Sequence, residues 1–160
     1  YDDFFQSSSY ETLLNELAPI FDYSKFTYLS LHPINLIKSE STLKKMSLNK
    51  YILKKSIYKS MTKTKLIIIT YNATVIAEAL FVNSPFIIYI NKDRDDFNIL
   101  DEKLFNEAIE VGLIHDNPES LNIFLSNYKS LLNSLHLKMW WDSSKVKNIK
   151  RKIKIQYLGL

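Results

Sequence analysis

Residues 65–90, KLIIITYNATVIAEALFVNSPFIIYI, constrain the fold more than any other stretch, because they spell out a complete strand, turn, helix and strand. Residues 66–69 are a short apolar, β-branched run, the composition of a strand buried on both faces of a parallel sheet. A polar turn at 70–74 interrupts it. Residues 75–81 are then apolar almost all round, broken only by Glu78, as in a helix packed deep against a sheet. Asn83, Ser84 and Pro85 stop that helix, and 86–90 is a second strand-like run. A strand, helix, strand connection of this length strongly favours a right-handed parallel crossover. The chain therefore reads as α/β with a mostly parallel sheet.

The turn is where chemistry is expected, since open parallel sheets bind ligands beyond the carboxyl ends of their strands. Tyr71, Asn72, Ala73 and Thr74 occupy that place. They offer an amide, a hydroxyl and the free N–H groups of a helix start, a combination suited to a phosphate or similar anion. Glu78 is four residues after Thr74, on the same helical face, where a carboxylate can accept hydrogen bonds from sugar hydroxyls. The plainer reading keeps Asn72 or Thr74 as a helix cap and Glu78 as the one solvated residue of its helix. No glycine-rich phosphate loop accompanies the turn.

The other polar segments fall in similar places. Residues 26–31 read as a strand ended by His32 and Pro33, and proline cannot continue a ladder. A lone histidine there is either a site residue or a structural hydrogen-bonder. The run 91–96, with Asn91 and Arg94 among three aspartates, follows the 86–90 strand; it lacks the spacing of a calcium loop, and we expect no metal. Residues 100–111 form a helix with Leu104, Ala108 and Val111 inward, closed by Gly112. A very short strand at 112–114 then precedes His115 and Asp116. Asn117 as cap, Pro118 at the first helical position and Ser120 two further on start another helix. A parallel sheet would gather His32, residues 71–74, residues 91–96, His115 and Asp116 along one edge.

Elsewhere, residues 10–20 carry Leu13, Leu14, Leu17 and Ile20 on one helical face, with Ser9 as the expected cap. Residues 50–53 read as a short strand and 54–61 as a helix with Ile57 and Met61 inward. Nine lysines between Lys38 and Lys65 face a single acid, Glu40, which is either a solvated face or an attraction for a polyanion or an acidic membrane surface. Trp140 and Trp141 read as packing anchors. The segment 143–157 holds six basic residues, with Val146, Ile149 and Ile153 at helical spacing, and reads as a C-terminal docking helix. Over 160 residues with 46% hydrophobic content we expect one domain. The chain opens at Tyr1 in a polar stretch without an initiator Met, which suggests the C-terminal part of a longer protein. It has no cysteine, hence no thiolate chemistry, and no apolar run of membrane-spanning length.

Taken together, LHP at 31–33, TYNAT with Glu78, the strand after NSP at 83–85, VGLIHDNPES at 111–120 and WWDSSKV at 140–146 resemble the C-terminal part of GT-B-like predicted transferases of bacterial surface-carbohydrate biosynthesis. The resemblance covers residues 26–157. It implies a Rossmann-like three-layer domain, the second half of a GT-B-like fold, which binds the nucleotide of an activated donor. By that resemblance His32 and Pro33 lie beside the donor phosphates, Tyr71, Asn72, Ala73 and Thr74 form the phosphate-facing turn, and Glu78 is the acid near ribose or sugar hydroxyls. His115 and Asp116 match a motif to which it gives no role. Ser30 stands where the family pattern has an arginine, and Asp95 and Asn98 fill the aromatic and arginine positions after the 86–90 strand, with Arg94 out of register. The implied function is glycosyl transfer from a nucleotide-sugar donor to a polysaccharide or lipid-linked acceptor, with the catalytic base outside this chain and no cofactor. The implied location is the cytoplasm, at the inner face of the membrane, with peripheral membrane association and no nucleic-acid partner. A nucleotide-sugar epimerase and a non-catalytic nucleotide-binding scaffold are the alternatives.

Overall fold

The computed structural model describes residues 7–17, 36–47, 50, 57–70, 74–90, 100–129 and 135–159. The chain forms two compact units, residues 1–57 and 58–160. In the first, α1 (Ser7–Leu17) packs against α2 (Leu36–Lys45) and buries Leu13, Leu14 and Leu17, while α2 buries Leu43. Ser9 lies inside α1 rather than ahead of it, so it does not cap that helix. The strands expected at 26–31 and 50–53 lie outside the described residues.

The second unit is mixed α/β. It follows α3 (Ile57–Met61) with β1 (Ile67–Ile69), α4 (Val75–Val82), β2 (Phe86–Tyr89), α5 (Glu102–Glu110), β3 (Ile114–His115), α6 (Pro118–Lys129), α7 (Leu135–Trp141) and α8 (Ser144–Leu158). The three strands form one parallel sheet in the order β1-β2-β3, with Ile67 opposite Phe86, Ile69 opposite Ile88 and Tyr89 opposite His115. Strand alternation sends Phe86, Ile88, Ile69 and Ile114 to one face, where they share a core with Ile76 and Leu80 of α4, Leu104 and Ala108 of α5, and Val146, Ile149 and Ile153 of α8. Ile87, Tyr89 and His115 point to the other face, and Phe124 of α6 packs against the His115 ring, tilted by 58° with centroids 5.0 Å apart. Every side chain of β2 is fully buried. At roughly 1.5–3 kcal/mol for each such aliphatic or aromatic residue, this strand is the main apolar contribution of the sheet.

The helix ends follow local chemistry. Gly112, at φ 73°, closes α5 with its own amide on the Ile109 carbonyl and the Leu113 amide on that of Ala108, the paired bonds of a left-handed C-terminal cap. That closure occupies 111–113, so pairing starts only at Ile114 and His115 belongs to β3 instead of following it. Asn117 caps α6 by accepting the Ser120 amide at 2.8 Å. Ser143 caps α8 by accepting the Val146 amide, and Asp101, which the periodicity of α5 did not single out, accepts the Leu104 amide at 2.8 Å.

α7 is a separate helix that the sequence pattern does not announce. The Trp140 indole donates to the Val111 carbonyl at 2.9 Å and the Trp141 indole to the Asn83 carbonyl at 3.1 Å. Val111 and Asn83 precede β3 and β2, so the two tryptophans fasten α7 to the amino-terminal edge of the sheet, and Trp141 meets Phe86 edge-on at 5.2 Å. Asn83 takes φ 51°, a left-handed conformation asparagine tolerates, and its side-chain oxygen accepts from both Trp141 and Lys150. Lys150 is 7% exposed, donates to the Trp141 carbonyl at 3.2 Å and places Nζ 3.6 Å from the centre of the Trp141 ring. Burial pulls its pKa down to about 8. Since α8 meets Asn83 with Lys150 and Asp101 with Gln156, it runs antiparallel to α4 and α5, from the amino edge of the sheet to the carboxyl edge.

Trp141→Ala removes a buried ring, two indole hydrogen bonds and the cation–π seat of Lys150 together. We expect it to lower unfolding free energy by about 4 kcal/mol in urea titrations, whereas a loss below about 1 kcal/mol would show that α7 is not anchored this way.

Candidate functional site

Three parallel strands put three carboxyl ends on one edge, and α4, α5 and α6 all begin on that side. The turn after β1 reaches Thr74, the segment after β2 starts at Ile90, and β3 gives way to Asp116. Continuing the observed register by one residue puts Thr70 level with Tyr89 and Asp116 level with Ile90, on either side of the end of β2.

Of the expected site residues, Thr74, Glu78, His115 and Asp116 are described. His32, Pro33, Tyr71, Asn72, Ala73, Asn91 and Arg94 lie outside the described residues. Thr74 is exposed at the start of α4 with helical backbone angles, and its carbonyl accepts the Glu78 amide at 3.0 Å, the first bond of the helix. The amides of Val75, Ile76 and Ala77 precede that bond and have no acceptor within the helix. Here α4 differs from its neighbours. The side chains of Asp101 and Asn117 cap α5 and α6, but the Thr74 side chain makes no capping bond. Glu78 is exposed in the same first turn.

His115 is on the edge by position and inside by exposure, at 3%. Its Nδ1 is 2.7 Å from the Ser120 hydroxyl in the first turn of α6, and Phe124 covers the ring. Nε2 has no hydrogen-bond partner, although the Gly112 carbonyl is near enough to favour the protonated ring. Desolvation outweighs that carbonyl and Asp116 and pushes the His115 pKa down to about 4, so the imidazole is neutral at neutral pH. The bond between Nδ1 and the Ser120 hydroxyl ties the first turn of α6 to β3. Asp116 accepts from the Asn117 amide side chain at 2.9 Å, so this acid is already engaged in the turn that caps α6.

Sequence reasoning missed Ser120 as the partner of His115. The five-residue spacing across the β3–α6 turn was the available signal, legible only once His115 is known to point toward the α6 face. Among the described residues no cluster of three or more His, Asp or Glu could hold a metal ion. A groove of about 260 Å³ between α5 and α8, floored by Leu104 and Ile155, is bridged by the Lys152–Glu107 ion pair and the Gln156–Asp101 hydrogen bond; it is a helix-packing seam apart from the turn at Thr74.

The second unit is thus a parallel α/β sheet with helices that begin at its carboxyl edge. The chain belongs to the LIC12162 family of transferases, whose sequence profile matches residues 11–159. Neither a curated protein nor a solved structure matches it.

The buried neutral histidine has a thermodynamic signature. Its folded pKa of about 4 lies below the 6.5 of an unfolded chain, so the unfolded state takes up the proton first as pH falls. This histidine leaves stability unchanged above pH 6.5 and lowers it between pH 6.5 and about 4, by about 3 kcal/mol in all. Urea unfolding across that range should show His115→Gln losing less stability on acidification than the parent; identical slopes would mean the ring is not held neutral.

Proposed function

We propose that this transferase chain is the donor-nucleotide-binding half of a GT-B-like glycosyltransferase, acting on a nucleotide-sugar donor and a surface polysaccharide or lipid-linked acceptor. The observation that carries the reading is the open start of α4. It is the helix at the carboxyl edge whose Thr74 makes no side-chain capping bond, and the three amides ahead of its first helical bond have no acceptor within the helix. A diphosphate seated there is held by fixed N–H dipoles and the positive end of the helix. The same groups stabilise it better as charge accumulates on the leaving phosphate, which is electrostatic preorganisation with no metal required. Glu78, one turn along, is placed to accept from ribose or sugar hydroxyls. His32 and Pro33 complete the phosphate side in this reading, and the catalytic base comes from outside this chain. The work is done in the cytoplasm, at the inner face of the membrane.

Calorimetric titration of the full-length protein with nucleoside diphosphates tests it. We expect weak binding that Thr74→Val or His32→Ala abolishes, with this chain alone turning nothing over. A full-length protein that binds no nucleotide removes the reading.

A further inference from the structure

The edge opposite the α4 turn has a character of its own. Two elements, α3 and α8, bring four lysines to the amino-terminal ends of the strands. Lys59 and Lys63 flank the end of α3, which is held there by the Ser84 hydroxyl donating to the Met61 carbonyl at 2.9 Å. Lys145 and Lys147 stand in the first turn of α8, beside the α7 helix that the two indoles fasten to Asn83 and Val111. All four are exposed and make no ion pair among the described residues. Neighbouring elements carry large apolar side chains in water: Phe81 in the last turn of α4 is 67% exposed, and Leu135 and Met139, one turn apart on α7, are 69% and 57% exposed. Acids at this edge are few among the described residues, namely Glu110 at the end of α5 and Asp142, which already pairs with Lys138 at 3.6 Å.

We propose that this amino-terminal edge is a docking surface for an anionic lipid bilayer. Lysines are compact charges on long apolar stems, suited to diffuse attraction toward acidic headgroups rather than to the fixed two-pronged grip of arginine. Leucine, methionine and phenylalanine among them supply what a phosphate backbone does not use, namely apolar surface for the headgroup–acyl boundary. The two tryptophans that could have stacked on bases are instead hydrogen-bonded to the sheet. No helix among the described residues is long and apolar enough to cross a membrane, so the contact is peripheral. Docking by this edge leaves the carboxyl edge turned away from the bilayer and open. The inference does not depend on nucleotide binding.

The test is co-sedimentation of the full-length protein with phosphatidylcholine vesicles, with and without phosphatidylglycerol, in the absence of nucleotide. We expect binding to the anionic vesicles alone, weakened by salt. Each lysine replaced by glutamine should lower the partition coefficient about fivefold, hence about twenty-five-fold for K145Q/K147Q. Removing cations from the start of a helix favours the helix, so that loss is not unfolding. K59Q/K63Q, on a different element, should act alike. L135S/M139S should abolish the fraction retained at high salt, while Thr74→Val should change nothing. Equal binding to both vesicle types, binding to neither, or lysine variants without effect overturns the proposal. So does an RNA duplex that binds as tightly and loses binding with the same variants.

Discussion

The burial of β2 on both faces is the constraint from which the rest follows. A strand whose side chains are all withdrawn from water can present polar groups only at its two ends. The sheet is parallel, so its ends differ chemically. At the carboxyl ends α4, α5 and α6 begin, with N–H groups outward; at the amino ends α4 and α5 finish, with carbonyls outward, and only the antiparallel α8 is seen to start there among the described residues. The chain treats the two accordingly. Indole N–H groups and the Lys150 ammonium meet the carbonyls of Asn83, Val111 and Trp141 at the amino edge, where helix ends attract donors and positive charge. Thr74, Asp101 and Asn117 stand at the helix starts of the other edge.

Much of this was legible because it is local. The cap, first-turn proline and Ser120 that open α6, the glycine that closes α5, and the 146, 149, 153 stripe of α8 are each specified within a few residues, and each forms as read. What escaped needs contacts far apart in sequence. Lys150 falls on the buried stripe of α8 but reads as solvent-facing because a charge is expected outside; only the Asn83 side chain, 67 residues away, and the Trp141 ring make its burial tolerable. α7 carries Leu135 and Met139 outward and just two buried residues, so its periodicity is too weak to announce a helix. The candidate site divides the same way. The shared face of Thr74 and Glu78 follows from a four-residue spacing, whereas their relation to His32 is a matter of tertiary placement beyond the described residues.

His115 shows why position on a strand does not assign a role. The end of β3 is where an α/β domain keeps its reacting groups, and a histidine there invites a catalytic reading. Side-chain alternation decides otherwise: with Ile114 committed to the α5 and α8 face, His115 must turn to the face that α6 covers. A ring so placed is desolvated, neutral and spoken for at Nδ1, and a group with its pKa near 4 is a poor general base at neutral pH. Its contribution to the edge is indirect, through the Ser120 hydroxyl and so through the first turn of α6 and the engaged Asp116. Among the described residues the three openings differ in their caps: Asp101 and Asn117 close the starts of α5 and α6 with their side chains, and Thr74 makes no such bond at the start of α4.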